Sequence, residues 1–123
     1  MRFLRRFEPQ AYAMLRIVAG LLFMFHGLQK FGLLGGQMVP LASMFGAAAV
    51  IETVGGLLIM IGLATSPVAF LCSGEMAYAY FTAHQPRGTW PIQNGGELSA
   101  LYAFIFLFIA TRGGGMLSVD GGK

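Results

Sequence analysis

Four side chains able to donate or carry a proton, His26, Lys30, His84 and Glu97, fall at the ends of apolar stretches, and Trp90 and Asn94 lie in the polar loop before the last of them. Two imidazoles and an ammonium can donate hydrogen bonds to a carbonyl or an oxyanion, a quinone oxygen for example, while a nearby acid relays protons. Folded back at each apolar stretch, the chain brings these groups to one membrane surface as a polar pocket roofed by the Trp90 loop. Each has a plainer reading as well. Either histidine serves as a hydrogen-bonded interface residue, Trp90 as an interfacial anchor, and Glu97, behind Asn94-Gly-Gly96, as a complement to a helix dipole.

A second set lies deeper. Arg16, Glu52 and Glu75 each sit inside an apolar run, where an ionisable group costs at least about 3 kcal/mol unless it is paired. Counting about 1.5 Å per residue from the inner ends puts them at depths of roughly 9 to 16 Å, so Arg16 is expected to reach Glu52 or Glu75. Such a pair is a charge-compensated brace. The acid left over, a carboxyl beside a charged one, is the start of a proton path.

The elements that must hold these groups follow from composition. Of 123 residues, 56% are hydrophobic and only 11% charged, far from the balance of a soluble domain. Four windows suit a hydrocarbon core: Ala11–Leu28, Leu41–Ala64, Pro67–His84 and Glu97–Arg112. Backbone amides in lipid must bond internally, so each window is expected to be a helix and the whole chain, residues 1–123, one all-α, integral membrane, antiparallel four-helix bundle. Gly20, Gly27, Gly55, Gly56, Gly62 and Gly74 permit close helix approach.

Arg2, Arg5 and Arg6, with Arg112 and Lys123, place both termini in the cytoplasm by the positive-inside rule. The first stretch lacks a small-residue cleavage site and is expected to stay as a helix. The segment His84 to Glu97 reads as an ordered turn, and the glycines and Asp120 after Arg112 as a short exposed end without chemistry. The charge of +3 is small and dispersed, which argues against nucleic acid. Cys72 is the single cysteine, so an intrachain disulfide or CxxC pair is excluded and a buried packing role is expected. No metal-ligand spacing, phosphate loop or nucleophile elbow occurs.

Arg16 followed by Gly20-Leu-Leu-Phe-Met-Phe-His-Gly-Leu-Gln-Lys-Phe-Gly32, then Glu52-Thr-Val-Gly-Gly-Leu-Leu, Ala79-Tyr-Phe-Thr-Ala-His84, Trp90-Pro-Ile-Gln-Asn-Gly-Gly-Glu-Leu98 and Gly115-Met-Leu-Ser-Val-Asp120 resemble the DoxX family of small four-helix membrane proteins. The resemblance covers nearly the whole chain. It implies a multi-pass protein of the bacterial cytoplasmic membrane, with relatives linked to thiosulfate:quinone oxidoreductase and to a membrane-associated oxidoreductase complex of thiol and oxidative stress. On these grounds the expected function is a membrane subunit of an oxidoreductase system. It would bind quinone or a similar small lipophilic ligand and relay protons, with no intrinsic cofactor and with a redox protein partner supplying the electron chemistry. Self-association is compatible with this reading. The alternative is a noncatalytic membrane scaffold or assembly factor whose polar groups fix helix register.

Overall fold

Pro9 starts the first long helix and Gly62 stops the second, and these two residues set much of the architecture. In the computed structural model, which describes residues 1–121, a one-turn helix α1 (Arg2–Arg5) precedes α2 (Glu8–Lys30). Pro9 falls in the first turn of α2, where a missing N–H leaves no bond unmade and a fixed φ favours the helix. Then come α3 (Met44–Ile61), α4 (Thr65–Ala79) with a π-helical continuation over Tyr80–His84, a 3₁₀ turn at Gln85–Arg87, the short α5 (Pro91–Asn94) and α6 (Glu97–Arg112). No strand occurs among the described residues.

Several boundaries differ from those read off the apolar windows. α2 starts three residues before Ala11. α3 begins at Met44, not Leu41, because Ser43 caps it by accepting a bond from the Gly46 amide at 3.3 Å. It ends at Ile61, not Ala64, because Gly62 takes the left-handed conformation with φ 74°. The Gly62 amide then donates to the Ile59 carbonyl at 3.1 Å and the Leu63 amide to the Leu58 carbonyl at 2.9 Å, the paired bonds of a Schellman ending. α4 begins at Thr65, so Pro67 lies in its first turn without breaking a bond.

The four long helices pack antiparallel to their neighbours. Gly20 lies against Gly56 and Met60 of α3, whereas Gly27 lies against Ala49 and Thr53. A Cβ on Gly20 would stand 2.6 Å from the Met60 nitrogen and 2.7 Å from the Gly56 oxygen, so α2 and α3 meet backbone to backbone only because no side chain is there. Gly74, by contrast, has nothing within 4 Å and takes no part in such a contact. α4 and α6 are tied by the Ser73 hydroxyl donating to the Ala103 carbonyl at 2.7 Å. Phe23 of α2 meets Tyr102 and Phe106 of α6 at ring separations of 5.3 and 4.7 Å. Cys72 is buried beside Gly55.

The surface inverts the usual pattern of a water-soluble protein. Met14, Val18, Phe70, Leu71, Leu101 and Phe104 are exposed along the helices, while Arg16 and Glu52 are buried between them. Two of the helices, Glu8–Lys30 and Met44–Ile61, are long and apolar enough to cross a membrane by themselves.

Candidate functional site

The charged interior splits into two clusters at opposite ends of the helices. Near the start of α2, Arg16 has no exposed surface and stands level with the last turn of α3. Its Nη1 donates to the carbonyls of Ile59 at 2.9 Å and Met60 at 2.7 Å, and its Nη2 to those of Met116 at 3.0 Å and Leu117 at 2.7 Å. A helix ends with four carbonyls lacking partners, and a buried cation is well matched to that negative end. The expected pairing of Arg16 with Glu52 or Glu75 is therefore not found: its bonds go to backbone oxygens. The physical reason is register: α3 stops at Gly62, so its last free carbonyls stand beside Arg16, and Glu52 lies about two turns further along that helix.

The segment after α6 completes this cluster and corrects the reading of it as an exposed end without a role. The Val119 amide donates to Ile61 at 3.0 Å and the Asp120 amide to Gly62 at 2.8 Å. Ala64, at the cap position of α4, has no side-chain oxygen to offer. Asp120 supplies one from the tail, accepting from the amides of Ala64 at 3.0 Å and Thr65 at 2.9 Å and from the Thr65 hydroxyl at 2.8 Å. The Thr65 bonds, backbone first, hold the Asp120 carboxyl below the usual carboxylate range. Close by, the Tyr12 hydroxyl donates to the Gly113 carbonyl at 2.6 Å, and Arg112 lies over the Tyr12 ring while pairing with Glu8 at 2.9 Å.

At the other end, Lys30 reaches back along α2 to Glu52, Nζ to Oε1 2.8 Å, with the lysine side chain 29% exposed and the glutamate 2%. The Glu75 carboxyl of α4 stands near that of Glu52 and feels its charge and that of Lys30. Two neighbouring carboxyls can share a hydrogen bond when one of them keeps a proton. Glu75 Oε1 and the Thr53 hydroxyl beside Glu52 are both buried without a partner. His26 stands edge-on to Tyr102 at 6.0 Å, and Tyr102 stacks on Phe106 at 5.4 Å with an interplanar angle of 5°. Tyr102 is also within the electrostatic reach of Glu52.

The two predicted sets are thus redistributed. Lys30 joins Glu52 and Glu75, with His26 on the neighbouring aromatic stack, while Arg16 leaves for the opposite cluster. His84 lies in the π-helical turn against Gly96, its Nδ1 buried without a partner. No hydrogen bond or ion pair among the described residues joins it to His26, Lys30 or Glu97. Asn94 is buried and turned to the loop itself: Nδ2 donates to the Tyr80 hydroxyl at 3.1 Å and the Gly88 carbonyl at 3.2 Å, and Oδ1 accepts from the Gly96 amide at 2.8 Å. Trp90 is 64% exposed. Glu97 is exposed in the first turn of α6, beside a shallow apolar cleft formed with Pro91, Leu98, Leu101 and Phe104. Thr53, Thr65 and Tyr12 escaped the sequence reading, in which Tyr102 is an interfacial anchor or a core residue. Only Thr53 carried a usable signal, as the hydroxyl next to a buried acid.

The DoxX family model matches residues 11–85, the stretch that holds Arg16, His26, Lys30, Glu52, Glu75 and His84. The chain belongs to the DoxX family. A Haemophilus influenzae protein of uncharacterised function is 41% identical over 95% of this DoxX chain and 93% of its own length. A Bacillus subtilis relative named "Putative oxidoreductase CatD" is 29% identical over 87% of this chain and 82% of its own. No solved structure matches the chain. Family and apolar helices agree in making this a membrane protein. No group of three or more metal-ligating side chains occurs among the described residues.

Proposed function

We propose that this DoxX protein is the membrane subunit of an oxidoreductase system in which Lys30, Glu52 and Glu75 hold and pass a proton beside a small lipophilic ligand. The observation that carries this reading is the buried Lys30–Glu52 pair near a second carboxyl that keeps one oxygen unpartnered. A purely structural ion pair needs one acid for one base. A second acid adds a site where a proton can rest, and lipid-buried carboxyls are otherwise costly to keep.

The membrane setting follows the exposed apolar faces, with all four long helices crossing and both termini in the cytoplasm of a bacterial cell. α4 reaches the required length only with its π-helical continuation, and irregular backbone of that kind is frequent at functional sites. A quinone fits the donors present: Lys30 retains N–H groups beyond its bond to Glu52, and the Thr53 hydroxyl is free, so each can donate to a carbonyl oxygen. When bound, a quinone supplies the electron-accepting centre. The chain's own residues then orient its oxygen and deliver protons, while electrons come from a redox protein partner. The name of the Bacillus subtilis relative supports the oxidoreductase setting. His84, Trp90, Asn94 and Glu97 are kept in this proposal only as the outer loop that borders the site.

A second reading is favoured by the other cluster. Arg16 gives all its hydrogen bonds, and Asp120 most of its own, to backbone, which is what a noncatalytic scaffold would do. Native mass spectrometry with quinone extraction separates the two. On the redox reading, a stoichiometric quinone accompanies the wild type and is lost in Lys30→Met and in Thr53→Val. A wild type without quinone, copurifying with a protein that both variants retain, identifies the scaffold.

A further inference from the structure

The segment ahead of α2 buries nothing against the rest of the protein, although it carries three large apolar side chains. Phe3, Leu4 and Phe7 are 61%, 46% and 45% exposed. At about 100° per residue these three fall within an arc of roughly 100°, and Arg2, Arg5 and Arg6 fall within a similar arc on the opposite side. These six residues make a two-faced surface, one face aromatic and aliphatic, one guanidinium, and the faces meet where the Arg6 guanidinium lies 4.8 Å from the centre of the Phe7 ring. The surface is separated from α2 at Phe7, whose φ of −95° and ψ of 6° leave the helical region just before α2 starts. The chain accordingly turns through Arg6 and Phe7 before α2 starts, with the Phe7 amide bonded to Leu4 at 3.0 Å.

Charge around this surface is one-sided. Glu8 is already paired with Arg112, and Asp120 is engaged at the cap of α4, so neither acid offsets Arg2, Arg5 or Arg6. The tail at the same end adds exposed Leu117 and Val119.

We infer that α1 and its following turn form an interfacial anchor for an anionic phospholipid leaflet, Phe3, Leu4 and Phe7 entering the acyl boundary while Arg2, Arg5 and Arg6 engage headgroup phosphates. Apolar burial and arginine attraction act together in such a segment, and neither alone gives stable docking. The anchor would fix the tilt of α2, and through Arg16 the tail clamp, to the membrane surface. The inference rests on the membrane setting of the proposed function and is independent of its redox chemistry.

Spin labels test it in the full chain, one at a time on a Cys72→Ala background: Phe3→Cys, Arg5→Cys and, as a marker of the spanning helix, Val18→Cys. The protein is reconstituted in phosphatidylcholine vesicles and in phosphatidylcholine mixed with phosphatidylglycerol, and accessibility to oxygen and to an aqueous nickel chelate is read at each label. The expected result is a lipid-buried label at position 3 and a water-accessible one at position 5 in the mixed vesicles, with position 3 released in pure phosphatidylcholine. Replacing the three arginines by glutamine should lower the docked-to-free ratio on the order of a hundredfold in the mixed vesicles. Equal depth in both vesicle types overturns the inference. So does water exposure of both labels in both, the result if α1 docks on a protein partner or a second copy. A lipid-buried label at position 18 in that case shows that the membrane setting survives and α1 alone fails.

Discussion

Replacing Arg16 distinguishes a helix-end clamp from an interhelical salt bridge. In Arg16→Met the guanidinium that serves four carbonyls is lost while an apolar stem of similar length remains. The Met116 and Leu117 carbonyls lie in the tail and can turn to water once released. Those of Ile59 and Met60 are fixed at the end of α3. Bonds from a charged donor contribute about 1.5 to 3 kcal/mol each, so losing these two costs about 3 to 6 kcal/mol. Arg16→Lys offers a point charge without the planar fork and should recover about half of that. The assay is denaturant or thermal unfolding of the purified protein in detergent, followed by circular dichroism, with limited proteolysis after Arg112 as a report on the tail. Both variants should expose the tail before the helices melt. The decisive comparison is Arg16→Met/Glu52→Gln: without a bond between the two residues, their effects should add within about 0.5 kcal/mol. Rescue of Arg16→Met by Glu52→Gln would refute the reasoning, because it would mean that Arg16 neutralises that acid.

Lys30→Met should destabilise by about 3 kcal/mol, the low end for breaking a buried pair because the lysine is 29% exposed, and Lys30→Met/Glu52→Gln should recover most of it in the same unfolding assay. Gly20→Val should prevent α2 and α3 from closing and abolish a cooperative melt, whereas Gly74→Ala, with open space around it, should stabilise by about 0.5 to 1 kcal/mol. For Asp120 the sign runs one way. Its folded-state value is depressed by the Thr65 and Ala64 bonds, so its contribution is present above the ordinary carboxylate range and is lost as pH falls through the depressed value. Melting temperature against pH should therefore show a gap between wild type and Asp120→Asn near neutrality that narrows on acidification below about pH 4; a gap independent of pH would contradict the cap.

The all-helical class was legible because long apolar runs leave the backbone no other way to satisfy its amides. Gly20, Gly27 and Gly56 were legible as contact residues for a related reason, since glycines spaced on one helical face invite close approach. Arg16 was not, because the second apolar window runs to Ala64 while α3 stops at Ile61, and because backbone carbonyls leave no mark in a sequence. Lys30 was assigned to the outer pocket by its position at the end of a helix, but its long side chain carries the charge back to Glu52. Asn94 shows the same limit from another side: a polar residue in a proline- and glycine-rich loop reads equally as a ligand contact or as the organiser of the loop. The role of the tail was not legible: the apolar window starts at Pro67, where Thr65 and Ser66 offer caps of their own, and only the observed start of α4 at Thr65 leaves Ala64 at the cap and Asp120 to supply the oxygen.

The central claim is that the Glu52–Glu75 pair, held by Lys30, retains an exchangeable proton inside the membrane. Infrared difference spectroscopy of the reconstituted protein at neutral pH, before and after transfer to deuterated water, measures that proton directly. A protonated-carboxyl band that shifts on exchange, is absent in Glu75→Gln and moves when a quinone is added is the result expected. A spectrum without a protonated carboxyl, or one whose band survives in both Glu75→Gln and Glu52→Gln, would contradict it.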